Sequence, residues 1–166
     1  MTRPVLRPFL PDDAEACDDL RVAAIFELAE DDYSEDQRAA WAAMSDAAAL
    51  AARLAAGLTL VVASEDEGIV GFGTLKDNSH IEFLFTRPDF ARRGVATLVM
   101  DALEKLAAAR GAKKLTTDAS DTGQPFFAAR GYVAVRRNTV SVDGEWLANT
   151  TMEKTLVGGL APQGRA

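Results

Sequence analysis

Arg87, Arg92 and Arg93 lie within a seven-residue span that also holds Pro88 and Asp89, and the span runs straight into Gly94-Val95-Ala96. Arginines ahead of a glycine that opens a helix make a place for an anion. Guanidinium groups supply charge, and the free N–H groups of the first helical turn aim the positive end of the helix dipole the same way. Phosphate is the anion most often taken by such a loop. Immediately upstream, Ile81-Glu82-Phe83-Leu84-Phe85-Thr86 reads as an apolar strand ending at a proline. A period of two puts His80, Glu82 and Leu84 on one face of it.

The elements that position these residues follow from local patterns. Val95, Leu98, Val99, Ala102, Leu103, Leu106 and Ala107 recur at helical spacing, and Arg110-Gly111 ends that helix. Upstream, Val5 to Phe9 reads as a strand, and Pro11-Asp12-Asp13 starts a helix with apolar positions at Ala16, Leu20, Ala23, Ala24, Phe26 (or the adjacent Ile25) and Leu28. Ser34-Glu35-Asp36-Gln37 has capping-box spacing for a second helix through Trp41, and Asp46 caps a third over Ala47 to Ala56. Strands are expected at Leu58 to Ser64, Ile69 to Lys76 and His80 to Thr86, with turns at Asp66-Glu67-Gly68 and Asp77-Asn78-Ser79. After the central helix come a strand at Lys114 to Asp118, a short helix over Gln124 to Arg130, and a hairpin of Tyr132 to Val140 with Trp146 to Leu156. The pattern predicts a mixed α/β sheet with helices on both faces. Residues 1–156 form one domain, and 157–166, rich in glycine, form a flexible tail.

Composition narrows the function. The chain has 166 residues, 48% of them apolar and 26% charged, which suits one domain with its own core. A net charge of −7 argues against nucleic acid as the main partner. Eleven acids and one arginine fall between Asp12 and Asp36, whereas Arg87, Arg92, Arg93, Arg110, Lys113 and Lys114 gather around the loop and helix. Such asymmetry suits an anionic cofactor at one end and a cationic substrate at the other, although most of the acids simply solvate helix faces. The lone Cys17 excludes an internal disulfide and a cysteine-rich zinc site, and it reads as a small buried hydrophobe. The N-terminus lacks a hydrophobic signal core, and the alanine-rich run from Ala47 to Ala63 is broken by Arg53 and Gly57. A cytoplasmic protein with no membrane span is therefore expected.

From Val5 to about Leu156 the chain resembles the GNAT (Gcn5-related N-acetyltransferase) superfamily. Ala91-Arg92-Arg93-Gly94-Val95-Ala96 is similar to the family's pyrophosphate loop, [Q/R]-x-x-G-x-[G/A], and follows a strand as that loop does. About thirty residues on, Phe126-Phe127-Ala128-Ala129-Arg130-Gly131-Tyr132 resembles the family's F-Y-E-K-x-G-F segment. Asp32-Tyr33-Ser34-Glu35-Asp36-Gln37…Ala40-Trp41, the Phe126-Phe127 pair and Leu147-Ala148-Asn149…Met152-Glu153-Lys154 look similar to the YafP-like branch of acetyltransferases.

The resemblance implies a central, mostly antiparallel sheet with a V-shaped splay beside the His80 to Thr86 strand. It implies acetyl-CoA as cofactor and acyl donor, with no metal. The cofactor would be held by Leu84, Phe85, Thr86, Arg92, Arg93, Gly94, Val95, Ala96, Ser120 and Phe127. It implies Glu82 as the leading candidate for general base, with His80, the only histidine, second because imidazole titrates near neutrality unaided. Each has a blander reading as a polar residue on a partly open sheet face. Phe26, Tyr33 and Trp41 are candidate acceptor-pocket walls, with core packing the preferred reading of Phe26.

Two positions depart from the family pattern. Ala91 stands where Gln or Arg is usual, but the neighbouring arginines keep the charge and the backbone donors need no particular side chain. Phe127 stands where a tyrosine usually protonates the departing thiolate, and Tyr33 and Ser120 are the substitutes to consider. Two functions are therefore carried forward: an N-acetyltransferase acting on an amine, and an acyl-CoA-binding sensor that has lost turnover. A homodimer paired through the last strand is a further option.

Overall fold

The computed structural model describes residues 3–156; the proposed tail lies outside them. The elements are β1 (Val5–Pro8), α1 (Ala14–Leu28), α2 (Glu35–Ala42), α3 (Ala47–Ala56), β2 (Leu58–Ser64), β3 (Gly68–Lys76) and β4 (His80–Thr86). They continue with α4 (Val95–Ala109), β5 (Lys114–Ser120), α5 (Gln124–Ala129), β6 (Val133–Val142) and β7 (Glu145–Thr155). The sheet order is β1-β2-β3-β4-β5-β7-β6. Only β4 and β5 are parallel, because the crossover through α4 brings the chain back in the same direction. A mixed, mostly antiparallel sheet with helices on both faces is therefore present.

Helix starts obey their sequence signals. Ser34 and Gln37 exchange bonds at α2: the Gln37 N–H donates to Ser34 Oγ at 3.1 Å and the Ser34 N–H to Gln37 Oε1 at 2.8 Å. The Ala49 N–H donates to Asp46 Oδ1 at 2.8 Å to start α3. Ahead of α1, Asp13 accepts the Leu10 N–H at 2.8 Å and both guanidinium arms of Arg7 at 2.7 and 2.9 Å. Those Arg7 bonds outweigh burial and hold the Asp13 carboxyl below the usual range.

The sheet separates two cores. On one face, Val95, Val99, Met100 and Leu103 of α4 pack on Val62, Val70, Ile81 and Leu115. On the other, Cys17 and Leu20 of α1 and Leu50 and Leu54 of α3 pack on Val61 and Phe72. In α1 the buried stripe runs through Cys17, Leu20, Arg21, Ala24 and Ile25. Ile25, rather than Phe26, is thus the inward residue, and Phe26 is half-buried. Arg21 is buried because Nη2 caps the end of α2 and the following turn, donating to the Ala42 and Ser45 carbonyls at 2.9 and 3.1 Å.

Burial pushes the Cys17 thiol up to about 12. The folded protein is therefore expected to resist thiol reagents at neutral pH and to label only after denaturation, which quantitative labelling before and after urea would check.

The last hairpin differs from expectation. β7 lies inside the sheet, pairing with β5 from Lys114↔Thr155 to Ser120↔Asn149 and with β6 on its other side. The edge is β6, so pairing between copies through the last strand has no free edge to use. Glu104 of α4 clamps this end of the sheet by accepting from Tyr132 Oη and Lys154 Nζ, both at 2.9 Å.

Candidate active site

β4 and β5 are bonded at only two registers, His80↔Thr116 and Ile81↔Thr117, and then part. Beyond that fork, the backbone of Glu82 to Thr86 on one side and Asp118 to Ser120 on the other flank a cleft of about 720 Å³. Its size suits a cofactor-sized ligand. The wedge exists because β5 turns away to pair along its whole length with β7.

One end of the cleft is the arginine loop. Arg92 and Gly94 both have positive φ, 62° and 85°, which curls the backbone ahead of α4. No side chain caps α4 there, so the N–H groups of its first turn are left for a ligand. Arg92, Gly94, Val95 and Ala96 line the cleft. The other arginines serve the loop itself. Arg87 Nη2 donates to Glu67 Oε1 at 2.6 Å and its Nε to Asp89 Oδ1 at 2.7 Å, tying the loop to the β2–β3 turn. Arg93 stacks 4.3 Å over the Phe90 ring, and it is absent from the cleft wall.

On β4, a bulge disturbs the expected alternation. Leu75 pairs with Ile81 but Thr74 pairs with Phe83, so Glu82 is an extra residue. Leu84 consequently packs in the α4 core, whereas Phe83 and Phe85 pack with α1 and α3. The Glu82 carboxylate also turns to α3, where its Oε2 accepts Arg53 Nε at 2.9 Å and, at closer range, Arg53 Nη2. Arg53 itself lies 4.7 Å over the Phe83 ring. Glu82 and Leu84 therefore sit on opposite faces, contrary to a strict period of two. His80 lies at the paired base of the fork, outside the cleft wall, with Nδ1 2.7 Å from Thr116 Oγ1.

Ser120 and Phe127 line the β5 side. Ser120 Oγ accepts the Gly123 N–H at 3.0 Å, fixing the turn into α5. Phe127 is buried between Phe126 and Tyr132, both met edge-on at 5.4 and 5.2 Å between ring centroids. Tyr132 is a core residue, as its place after the glycine suggests.

Tyr33 and Trp41 do reach the cleft and touch at 5.5 Å between centroids, while Phe26 does not line it. Tyr33 is a structural clamp: its hydroxyl donates to the Ala148 carbonyl at 2.6 Å and accepts the Asp121 N–H at 2.9 Å. Burial raises its pKa, so the proton stays in place at neutral pH. Tyr33→Phe leaves both backbone groups without that partner and is expected to cost about 1–3 kcal/mol of stability, read from urea unfolding, with catalytic turnover changed only a few-fold.

Sequence reasoning missed two participants. Arg53 is two whole strands away from Glu82 along the chain, and no local pattern links them. Asp118 lines the cleft beside the fork; its place at the end of a predicted strand facing the Glu82 strand was the available signal. Among the described residues there is no cluster of three or more metal-ligating side chains, and no helix is long and apolar enough to cross a membrane.

The geometry has counterparts in known proteins. Residues 29–156 match the family model of the acetyltransferase (GNAT) domain. The chain is 31% identical over 147 residues to the uncharacterized N-acetyltransferase YafP of Escherichia coli strain K12, covering 89% of this chain and 93% of that one. A crystal structure of a GCN5-related N-acetyltransferase from Rhodopseudomonas palustris, also described as a class-II aminotransferase, is 55% identical with a TM-score of 0.87, covering 94% of this chain and 98% of that one. PaiA N-acetyltransferase from Thermoplasma acidophilum, solved with coenzyme A, shares the fold at 18% identity and a TM-score of 0.74, with 92% and 98% of the two chains covered. With a family model spanning most of its length and a forked sheet that ends at an uncapped helix, the chain belongs to the GNAT acetyltransferase family.

Proposed function

We propose that the protein is an acetyl-CoA-dependent N-acetyltransferase that moves an acetyl group to a primary amine of a small molecule or peptide. The observation that carries this reading is the fork. β4 and β5 separate just beyond Ile81 and Thr117, and the cleft between them joins the uncapped start of α4 to a carboxylate-bearing face. The related PaiA structure contains coenzyme A.

Acetyl-CoA supplies the activated thioester. Arg92 and the N–H groups of Gly94, Val95 and Ala96 suit its pyrophosphate by charge and by direction. The β4 backbone from Leu84 to Thr86 offers peptide groups along the open side of the fork. Ser120 and Phe127 wall the opposite side. Arg93 contributes by bracing Phe90 under the loop.

Glu82 receives the proton of the attacking amine. Both Arg53 bonds fall on Oε2, so Oε1 is the oxygen left to accept it, directly or through water. His80, held by Thr116 at the paired base of the fork, is the weaker candidate. Phe127 has no proton to give to the departing sulfur, and the Tyr33 proton is committed to Ala148. Departure as a thiolate is consistent with the acidity of a thiol.

Phe127 also favours a second reading, an acyl-CoA-binding sensor without turnover. Calorimetry with coenzyme A, alongside thiol release from acetyl-CoA over an amine and peptide panel, separates the two. Binding with amine-dependent thiol release supports the enzyme. Binding without release on a broad panel supports the sensor, and failure to bind coenzyme A removes both.

A further inference from the structure

Glu82 and Asp118 are the residues next beyond the last β4–β5 pair, one on each arm of the fork. Leu115 and Ala119 of β5 point into the α4 core, so Asp118, at the alternate register, faces the other side of the sheet. That is the side on which Glu82 meets Arg53. Two carboxylate residues therefore flank the apex of the cleft, one from each arm.

They differ in what neutralises them. The ionisable side chains lining the cleft are Tyr33, Glu82, Arg92 and Asp118. Arg92 belongs to the loop, Tyr33 to its backbone clamp, and Glu82 to Arg53. Asp118 has a partner that orients it but no cation in hydrogen-bond range. Asn138 Nδ2 donates to Thr151 Oγ1 at 2.8 Å, which directs the Thr151 hydroxyl proton to Asp118 Oδ1 at 2.6 Å. His80 Nε2 stands 4.0 Å from Oδ2, Arg136 Nη2 reaches no closer than the Thr151 hydroxyl at 3.4 Å, and the Asp118 side chain is 49% exposed. A carboxylate held in place and left uncompensated is a receptor for a cation.

The cleft wall on the β4 side is apolar and aromatic. Trp41 and Phe85 are 6.3 Å apart between centroids, Phe83 and Phe85 6.5 Å, and Leu147 closes the β7 side. No cleft-lining cation at this end is present to meet a ligand's carboxylate.

We propose, on the footing of the N-acetyltransferase reading, that Asp118 holds the acceptor's ammonium group and that the acceptor is a primary amine with a flat apolar body and no carboxylate beside its nitrogen. Asp118 is then a specificity-determining residue and Glu82 the proton acceptor. The ammonium gives one proton to Glu82, the freed lone pair forms the N–C bond to the acetyl carbon, the C–S bond breaks with its electron pair leaving on sulfur, and the second nitrogen proton passes to that thiolate, leaving a neutral amide and free thiol.

Phenethylamine against phenylalanine, and tryptamine against tryptophan, isolate the carboxylate on a constant ring. Thiol release at saturating acetyl-CoA is expected to give the amines about a hundredfold higher kcat/KM than their amino acids, because like charges face each other in the latter. Asp118→Asn keeps an acceptor for Thr151 and removes the charge. It is expected to raise KM for phenethylamine about tenfold, change kcat less than about threefold, and shrink the preference over phenylalanine, with the melting temperature reporting an intact fold. Equal use of amine and amino acid, or an unchanged KM in Asp118→Asn, overturns the proposal. Turnover confined to amines outside this class overturns it while leaving the acetyltransferase reading intact. Absence of coenzyme A binding in calorimetry defeats the underlying reading and this one with it.

Discussion

Glu82→Gln is expected to lower kcat/KM for amine acetylation about a hundredfold while coenzyme A affinity stays within about twofold of wild type. Glutamine fills the same space and its amide oxygen still accepts from Arg53, so the bulge and the α3 contact survive. What is lost is a group able to take a proton. The pair joins a half-exposed Arg53 side chain (52%) to a mostly buried Glu82 (11%), and because glutamine keeps the contact the melting temperature is expected to stay near wild type. A fall in rate therefore reports chemistry. Calorimetry of coenzyme A with the variant checks that the loop, farther along the same arm of the cleft, is undisturbed. A loss smaller than about threefold would move the base to another group, with His80 the next to test by His80→Gln.

The second large effect is on stability. Gly73→Val is expected to destabilise the fold by about 2–4 kcal/mol and to lower the melting temperature by roughly 5–12 °C. A Cβ at Gly73 would stand 2.7 Å from Val99 Cγ1, 3.2 Å from Leu84 Cδ1 and 3.3 Å from the Phe83 carbonyl oxygen. At Gly71 the collision is with Val95 Cγ1, the first residue of α4. Two glycines two residues apart on β3 thus let α4 lie against the sheet. Lifting α4 would also displace Val95 and Ala96, so coenzyme A affinity should fall together with stability. Thermal unfolding with and without coenzyme A measures both. A variant melting within about 2 °C of wild type would show that the close approach is dispensable.

The parts legible from sequence were those written locally. α4 is a helix because Val95, Val99, Leu103 and Ala107 repeat at its period, and the loop before it is marked by arginines and a glycine that takes positive φ. The cap at Asp46 placed α3 to the residue, and the capping box at Ser34 placed the start of α2, which runs one residue past the expected Trp41. What escaped was decided between distant segments. Hairpin signals gave β6 and β7 but not which of them joins β5. Alternation along β4 placed Leu84 with Glu82, and only pairing with β3 reveals the bulge that separates them. Phe26 and Ile25 are equally apolar neighbours, and one residue of helix phase decides which reaches the cleft. Arg53 and Asp118 become visible only when α3 and β5 are laid beside β4.

The position of β7 also bears on how the chain is made. Its eleven residues complete ladders with both β5 and β6, yet they follow every other strand in synthesis. When β6 has been made, β5 still lacks the neighbour with which it pairs along its whole length. Such a nascent chain must hold two strand edges open until Thr155 has emerged, a period in which β-pairing with other chains competes with folding. The strand farthest from the arginine loop in sequence is thus the one that draws β5 away from β4 and opens the fork.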